Sequence, residues 1–386
     1  MKGQLFLVGS SCISSIVLAG HIPRTVEFPA NATEIFGPYV QDNGTLASWM
    51  SKYPDDTPLA LMNIPGTHDS ATWNYTEATQ AALANVTAGD GELTYPPELF
   101  RCQSASIMAS LNAGVRFFDL RFALDPTGTK LVFWHSQALM SETATVDDIV
   151  AAFYYWLDMH SSETVILSFQ YEGSTTVNAT FDSTVQLMLF DILNSTTAAQ
   201  YIEQTHDVLP TLGNARGKVV LFKRFDLDQL PDEYQEALPG LHLSPSLWTD
   251  DSKNITLTYN TVLKLTAYAE DYYEPDDLGY DSSVAANIAA KVNATITHLQ
   301  MATSEYFNHA DNLFITYASG EHILTWPESV TPQIMAVGDD NSSTPLGGVN
   351  QQIDPVLKGF RGQRMGIVVV DFWDQPRDLI SDIIGV

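Results

Sequence analysis

VRFFDLRFALDPTGTKLVFWH, residues 115–135, contains two near-continuous apolar runs, 115–120 and 131–134, each leading into residues that carry charge or take up a proton. A run without polar alternation suits a strand covered on both faces, as in a parallel sheet flanked by helices. Outward from this stretch the pattern recurs at 59–64, 165–169, 219–222, 263–268, 313–317 and 367–372. Helical spacing separates the runs, in Val146, Ile149, Val150, Phe153 and Leu157 and again in Ile288, Val292, Ile296 and Leu299. Eight strand-like runs alternating with helical ones predict an α/β fold of βα units closing into a (β/α)8 barrel. A doubly wound open sheet competes, but no G-x-G-x-x-G follows the first run. Residues 75–100 and 326–357 read as excursions from the barrel, in the manner of active-site loops or surface decoration.

The composition narrows the function. The 386 residues carry 18 Lys+Arg against 46 Asp+Glu, a net charge of −28, and 45 % are hydrophobic while 17 % are charged. That balance excludes intrinsic disorder. So strong an acidity excludes nucleic acid as a partner and opposes adsorption to an anionic membrane. With only 2 Cys, no disulfide framework holds the fold. Residues 1–20, MKGQLFLVGSSCISSIVLAG, have a positive start, an apolar middle and a small-residue end, the pattern of a secretory signal peptide. The stretch is too short and Ser-rich for a membrane span. Asn-x-Ser/Thr occurs at nine positions, Asn31, Asn43, Asn74, Asn85, Asn178, Asn194, Asn254, Asn293 and Asn341, where chance would give about three. The expectation is a secreted, extracellular glycoprotein: a signal peptide at 1–20, then one domain at 21–386 with its barrel core at about 59–386. Cys12 lies in the leader, and Cys102 reads as a small buried hydrophobe without chemistry, since no His or Asp motif flanks it.

Three strand ends carry reactive groups. The first run leads through Pro65-Gly66, read as a sharp exit, to His68 and Asp69; the second ends in Asp119 and Arg121, which alternation puts on one face; the third ends in His135. In a barrel these ends share the C-terminal mouth, where catalytic groups gather. One neutral imidazole removes a hydroxyl proton, one imidazolium protonates a leaving oxygen, and a guanidinium neutralises phosphate charge. Such a set is equipped to cleave a phosphodiester without a metal. The remaining histidines lie in helical or loop stretches apart from these motifs; Trp73 and Tyr75, after the first motif, and Trp373, after Asp371, read equally as rim or core residues.

The runs LMNIPGTHDSATW, GVRFFDLRFAL, LVFWHS and HSSETVILSFQYEG, followed by ARGKVVLFKRFD, AYAEDYY and GIVVVDFWD, resemble in order the bacterial-type phosphatidylinositol-specific phospholipases C, within the phospholipase C-like phosphodiesterase superfamily. The resemblance implies a distorted TIM barrel. It implies His68 as general base for the inositol 2-hydroxyl, Asp371 as the carboxylate orienting it, and His135 as general acid with Asp69 its partner. It gives Arg121 to the phosphate with Asp119 in support, and Arg224, Asp271 and Tyr273 to the inositol. The implied reaction releases an alcohol and leaves a cyclic phosphate, with no cofactor. The implied partner is a phosphoinositide-like lipid or related headgroup, met in transient contact with a membrane surface.

The chain departs from that pattern where Gln170 replaces a strand-four lysine in the substrate site, Glu270 a glutamine, and Ser136 and Ala71 glycines. Calcium-dependent relatives carry an Asn after the first histidine and acidic ligands on strand two; Asp69 and Arg121 stand there instead, so no metal requirement is expected. Two rival readings are a catalytically silent secreted headgroup-binding barrel and a metal-dependent glycerophosphodiesterase or sphingomyelinase-like enzyme.

Overall fold

The computed structural model describes residues 26–42, 44–88, 94–175, 179–275, 278–279, 281–304, 311–323, 329–339 and 342–386. The leader and the sequons at Asn43, Asn178 and Asn341 lie outside these residues. The strands are β1 (Ile64–Thr67), β2 (Phe117–Leu124), β3 (Leu131–His135), β4 (Ala138–Leu139), β5 (Val165–Tyr171), β6 (Val219–Arg224) and β7 (Leu241–His242). They continue as β8 (Ser252–Asn260), β9 (Leu265–Asp271), β10 (Leu313–Tyr317), β11 (His322–Ile323), β12 (Ser329–Val330) and β13 (Ile367–Val370). The main sheet runs β7-β6-β5-β2-β1-β13-β10-β9-β8. Every neighbouring pair in that path is parallel except β8 with β9. Eight parallel strands thus curve into a nearly closed barrel whose edges are β7 and the antiparallel β8, the distorted α/β barrel expected from the sequence. Asn260 Nδ2 donates to the carbonyl of Asp207 at 3.0 Å near the open seam.

Three strand assignments change. The run at 131–134 is not a barrel stave: β3 folds back antiparallel on β2, pairing Phe122 with Phe133, and continues into β4. The eighth stave is instead β7, two residues long and too short to leave a periodic signature. Residues 59–61 form a 3-10 turn, and β1 contains Pro65-Gly66 rather than ending before them. Gly66 is required there because a Cβ would stand 2.8 Å from the Phe117 ring on β2.

The helical spacings hold. Val146–Met159 starts at a capping box formed by Thr145 and Asp148, and it buries Ile149, Val150, Phe153 and Leu157 against the sheet. Val284–Ser304 covers β9 and β10. Between β1 and β2 the predicted excursion holds two short helices, Glu77–Ala82 and Ala84–Thr87. No helix among the described residues is long and apolar enough to cross a membrane. Tyr75 is core and Trp373 packs against it, while Trp73 ties down the N-terminal segment by donating to the carbonyl of Ile35 at 2.7 Å.

Candidate active site

The register of the parallel strands decides which side chains meet. Thr67 pairs with Val370, so the next residues, His68 and Asp371, emerge side by side although they are 303 positions apart. Arg121 is opposite Gln170, and Gln170 is opposite Arg224, which forms one row across β2, β5 and β6. The mouth of the barrel opens into a cavity of about 740 Å³ lined by His68, Arg121, His135, Gln170, Arg224, Asp271, Tyr273 and Asp371, with Asp69 and Asp119 buried behind it. All ten residues singled out from the sequence therefore gather at one place.

Three strand exits share a backbone feature. Asp69, Ser136 and Phe372 have φ of 43°, 50° and 44°, and they directly follow His68, His135 and Asp371. The left-handed region is costly for such residues, above all for phenylalanine. The sharp reversal turns the preceding side chain inward. Ser136, where the superfamily pattern has glycine, adopts a conformation glycine would take more easily.

His68 Nδ1 lies 2.9 Å from Asp371 Oδ1, and Nε2 lies 2.8 Å from Arg121 Nη2. Arginine only donates, so in the neutral imidazole Nε2 accepts and the ring proton sits on Nδ1, facing Asp371. Burial opposes charging of His68, yet the Asp371 carboxylate outweighs it and pushes the pKa up to about 8. Arg121 Nε reaches Asp119 at 3.3 Å and Asp69 at 3.7 Å, while Nη1 reaches Glu172 at 3.2 Å. Asp119 is held below the usual carboxylate range: burial works against this, and Arg121 and Arg224 prevail. His135 Nδ1 lies 2.9 Å from the carbonyl of Phe100 and 3.4 Å from Asp69 Oδ2. The rings of His68 and His135 are 6.3 Å apart, edge to face.

The far end of the cavity is organised about Arg224. Its guanidinium lies 3.8 Å over the Trp248 ring, donates to the Tyr317 hydroxyl at 2.9 Å and approaches Asp271 at 3.5 Å. Trp248 Nε1 donates to Asp271 at 2.8 Å, and the Tyr273 hydroxyl donates to Asp250 at 3.0 Å. The sequence reading missed Glu172, Trp248, Tyr317 and Glu321. Glu172 was within reach, since alternation on β5 puts it on the face of Gln170. Glu321, whose pKa burial raises to about 7, and Trp248 come from irregular segments without periodicity.

Residues 98–225 match the family model "Phosphatidylinositol-specific phospholipase C, X domain". The chain is 23 % identical over 347 residues to the 1-phosphatidylinositol phosphodiesterase of Staphylococcus aureus (strain Newman), covering 87 % of this chain and 93 % of that one. It is 32 % identical over 148 residues to the zebrafish (Danio rerio) PI-PLC X domain-containing protein 1, covering 35 % and 47 %. In fold it matches a double mutant of the S. aureus phosphatidylinositol-specific phospholipase C with a TM-score of 0.65 at 20 % identity, over 88 % of this chain and 96 % of that one. In family model, in sequence and in fold, the chain is similar to the phosphatidylinositol-specific phospholipases C that its strand motifs resemble.

Proposed function

We propose that the protein cleaves the phosphodiester of a phosphatidylinositol-like lipid by general acid–base catalysis, releasing the alcohol and a cyclic phosphate. The observation that carries this reading is two imidazoles, each backed by its own carboxylate, flanking one guanidinium in one cavity. His68 takes the proton of the substrate's own hydroxyl at Nε2, and Asp371 steadies the Nδ1 proton. Arg121 turns from His68 to the phosphate and neutralises charge as the hydroxyl oxygen attacks phosphorus. His135 gives a proton to the leaving oxygen with Asp69 beside it. Holding the hydroxyl in line adds the gain of an intramolecular reaction.

Metal independence is part of the proposal. The carboxylates nearest the reacting centre, Asp69, Asp119 and Glu172, are each paired with Arg121, so they do not present the set of about six to eight free oxygen ligands that a calcium ion takes. The recognition end supports an unphosphorylated headgroup, because Asp226, Asp228, Asp250 and Asp271 line it against the single guanidinium of Arg224. Gln170 is neutral where a cation would favour a further phosphate, and its Oε1 has no hydrogen-bond partner. Leu247, 56 % exposed beside Trp248, offers an apolar contact for transient approach to a lipid surface. Secretion and glycosylation belong to the same reading: the six described sequon asparagines, Asn31, Asn74, Asn85, Asn194, Asn254 and Asn293, are all exposed.

The test is incubation with phosphatidylinositol vesicles in chelator, followed by phosphorus NMR of the product. A cyclic inositol phosphate is expected. His68→Ala and His135→Ala should each lose about two to four orders of magnitude in rate. Turnover that vanishes with chelator, or survives either substitution, defeats the reading.

A further inference from the structure

Cys102 is fully buried, yet it lines the catalytic cavity, its Sγ 3.9 Å from His135 Nδ1. The sequence reading gave this thiol no chemistry because its neighbours in the chain are inert. The fold supplies neighbours from elsewhere. Asp69 Oδ2 lies 3.4 Å from the same His135 nitrogen, and ligand atoms of Asp69, Cys102 and His135 all fall within 4.8 Å of one another. Asp69 is 1 % exposed, and its Oδ2 accepts no hydrogen bond of normal geometry, having only the longer ion-pair contacts to His135 at 3.4 Å and Arg121 Nε at 3.7 Å. A buried carboxylate oxygen left in that condition, aimed at a thiol and an imidazole, points to a ligand.

The spacing fits one kind of ligand. Zinc bonds of about 2.3 Å to sulfur and about 2.0–2.2 Å to nitrogen and oxygen give tetrahedral edges of roughly 3.6 Å for S···N and 3.4 Å for N···O. The S···N and N···O separations here, 3.9 and 3.4 Å, lie close to these values, and the S···O separation falls within 4.8 Å. A thiolate, an imidazole and one carboxylate select a thiophilic cation over calcium or magnesium, which take oxygen. The alternative trio of His68, Cys102 and Asp371 is poorer, because His68 Nδ1 and Asp371 Oδ1 are only 2.9 Å apart, already joined by a hydrogen bond, and Arg121 holds His68 at 2.8 Å, closer than its 3.7 Å to Asp69.

We propose that Cys102, His135 and Asp69 form an inhibitory site for a soft divalent cation such as zinc, entered through the catalytic cavity. Binding forms three bonds, to Sγ, Nδ1 and Oδ2. The thiol proton passes to solvent, and His135 takes the Nε2–H tautomer, giving up its contact with the Phe100 carbonyl. A metal-bound imidazole is too weak an acid to protonate a leaving oxygen, so the occupied enzyme is silent. That consequence rests on the proposed role of His135; the site itself does not.

Cobalt(II) is the probe for binding, because a cysteine thiolate on cobalt gives an intense ligand-to-metal charge-transfer band. One equivalent should produce the band in the full chain, and zinc should remove it. Cys102→Ser and Cys102→Ala should lack it, which assigns it to Cys102 and not Cys12. Zinc should abolish phosphodiester cleavage reversibly with chelator, and Cys102→Ser should need at least about tenfold more zinc for the same inhibition. No band in the parent chain, or an unchanged band in both variants, overturns the site. Equal zinc sensitivity in parent and both variants overturns the inhibitory role. A protein that shows the band but never cleaves phosphatidylinositol refutes the proposed function and leaves the site standing.

Discussion

The two ends of the cavity are built differently. At the end proposed for catalysis, His68, His135 and Arg121 each stand on, or one residue beyond, a strand, and each is paired to a carboxylate: His68 to Asp371 at 2.9 Å, His135 to Asp69 at 3.4 Å, Arg121 to Asp119 at 3.3 Å. At the recognition end Arg224 also faces carboxylates, Asp271 at 3.5 Å and Asp119 at 3.8 Å, but its guanidinium rests in addition on a stacked ring, Trp248 at 3.8 Å, and on the hydroxyl of Tyr317. Trp248 comes from the irregular segment between β7 and β8, beside the open seam of the barrel. Proton transfer needs atoms placed within hydrogen-bond reach, which strand register supplies. Recognition tolerates more latitude, and a stacked platform on a loop is enough for it.

Asp371→Asn breaks the stiff end and carries the largest expected effect. The amide still fills the space but no longer holds the Nδ1–H tautomer of His68, so kcat/KM should fall by about two to four orders of magnitude. The pH dependence gives the sign. His68 stands at about 8 because Asp371 overcomes burial and Arg121. Without the anion those two forces win and the base titrates at lower pH, so the rising limb of kcat/KM should move toward acid as its height drops. A limb that stays near pH 8 would dissociate His68 from Asp371 and remove the contrast between the two ends.

Trp248→Ala tests the softer end with a smaller effect. It removes the ring under Arg224 and the 2.8 Å donation to Asp271. A cation–π contact of about 1–2 kcal/mol corresponds to a KM rise of roughly tenfold, with kcat unchanged because no reacting group has moved. Trp248→Phe keeps a ring and should recover most of the loss. A fall in kcat equal to the rise in KM would mean that the two ends are one rigid unit.

The same division explains what the sequence disclosed. His68, Asp119, Arg121, His135 and Asp371 were legible because each interrupts an apolar run at its end, and period-two alternation gives its direction. Most barrel staves were legible for the same reason. The hairpin of β2 and β3 was not: an apolar run does not say whether its partner is parallel, and β3 is as buried as a true stave. The two-residue β7 was too short, and Trp248 too irregularly placed, for any pattern to report. Cys102 shows the limit most clearly, because its neighbours Asp69 and His135 are 33 residues away in either direction along the chain. Proximity of that kind is made only by folding.

Behind the recognition end lies an outer layer that sharpens the comparison further. Glu270 and Thr316 are register partners on β9 and β10, facing helix Val284–Ser304, while the next residues, Asp271 and Tyr317, face Arg224. Lys291 Nζ meets Glu270 Oε1 at 2.7 Å, both side chains fully buried, and the same oxygen accepts from the Tyr272 amide at 3.0 Å. Burial raises the Glu270 pKa to about 7 against the pull of Lys291. Glu270→Gln leaves an oxygen for the Tyr272 amide, so KM should change by less than about threefold, under the worth of one net hydrogen bond, and kcat should not change. Lys291→Met removes the cation and should lower stability by about 3–5 kcal/mol where Glu270 is ionised. Without Lys291 burial holds the Glu270 carboxyl above its parent value of about 7, so the deficit should grow as pH rises above about 7 and level off below it. Denaturant unfolding across that range, run beside steady-state kinetics, separates the two effects. A KM shift as large as that of Trp248→Ala would make the outer layer part of recognition, whereas a stability change alone leaves it as the frame on which the softer end is hung.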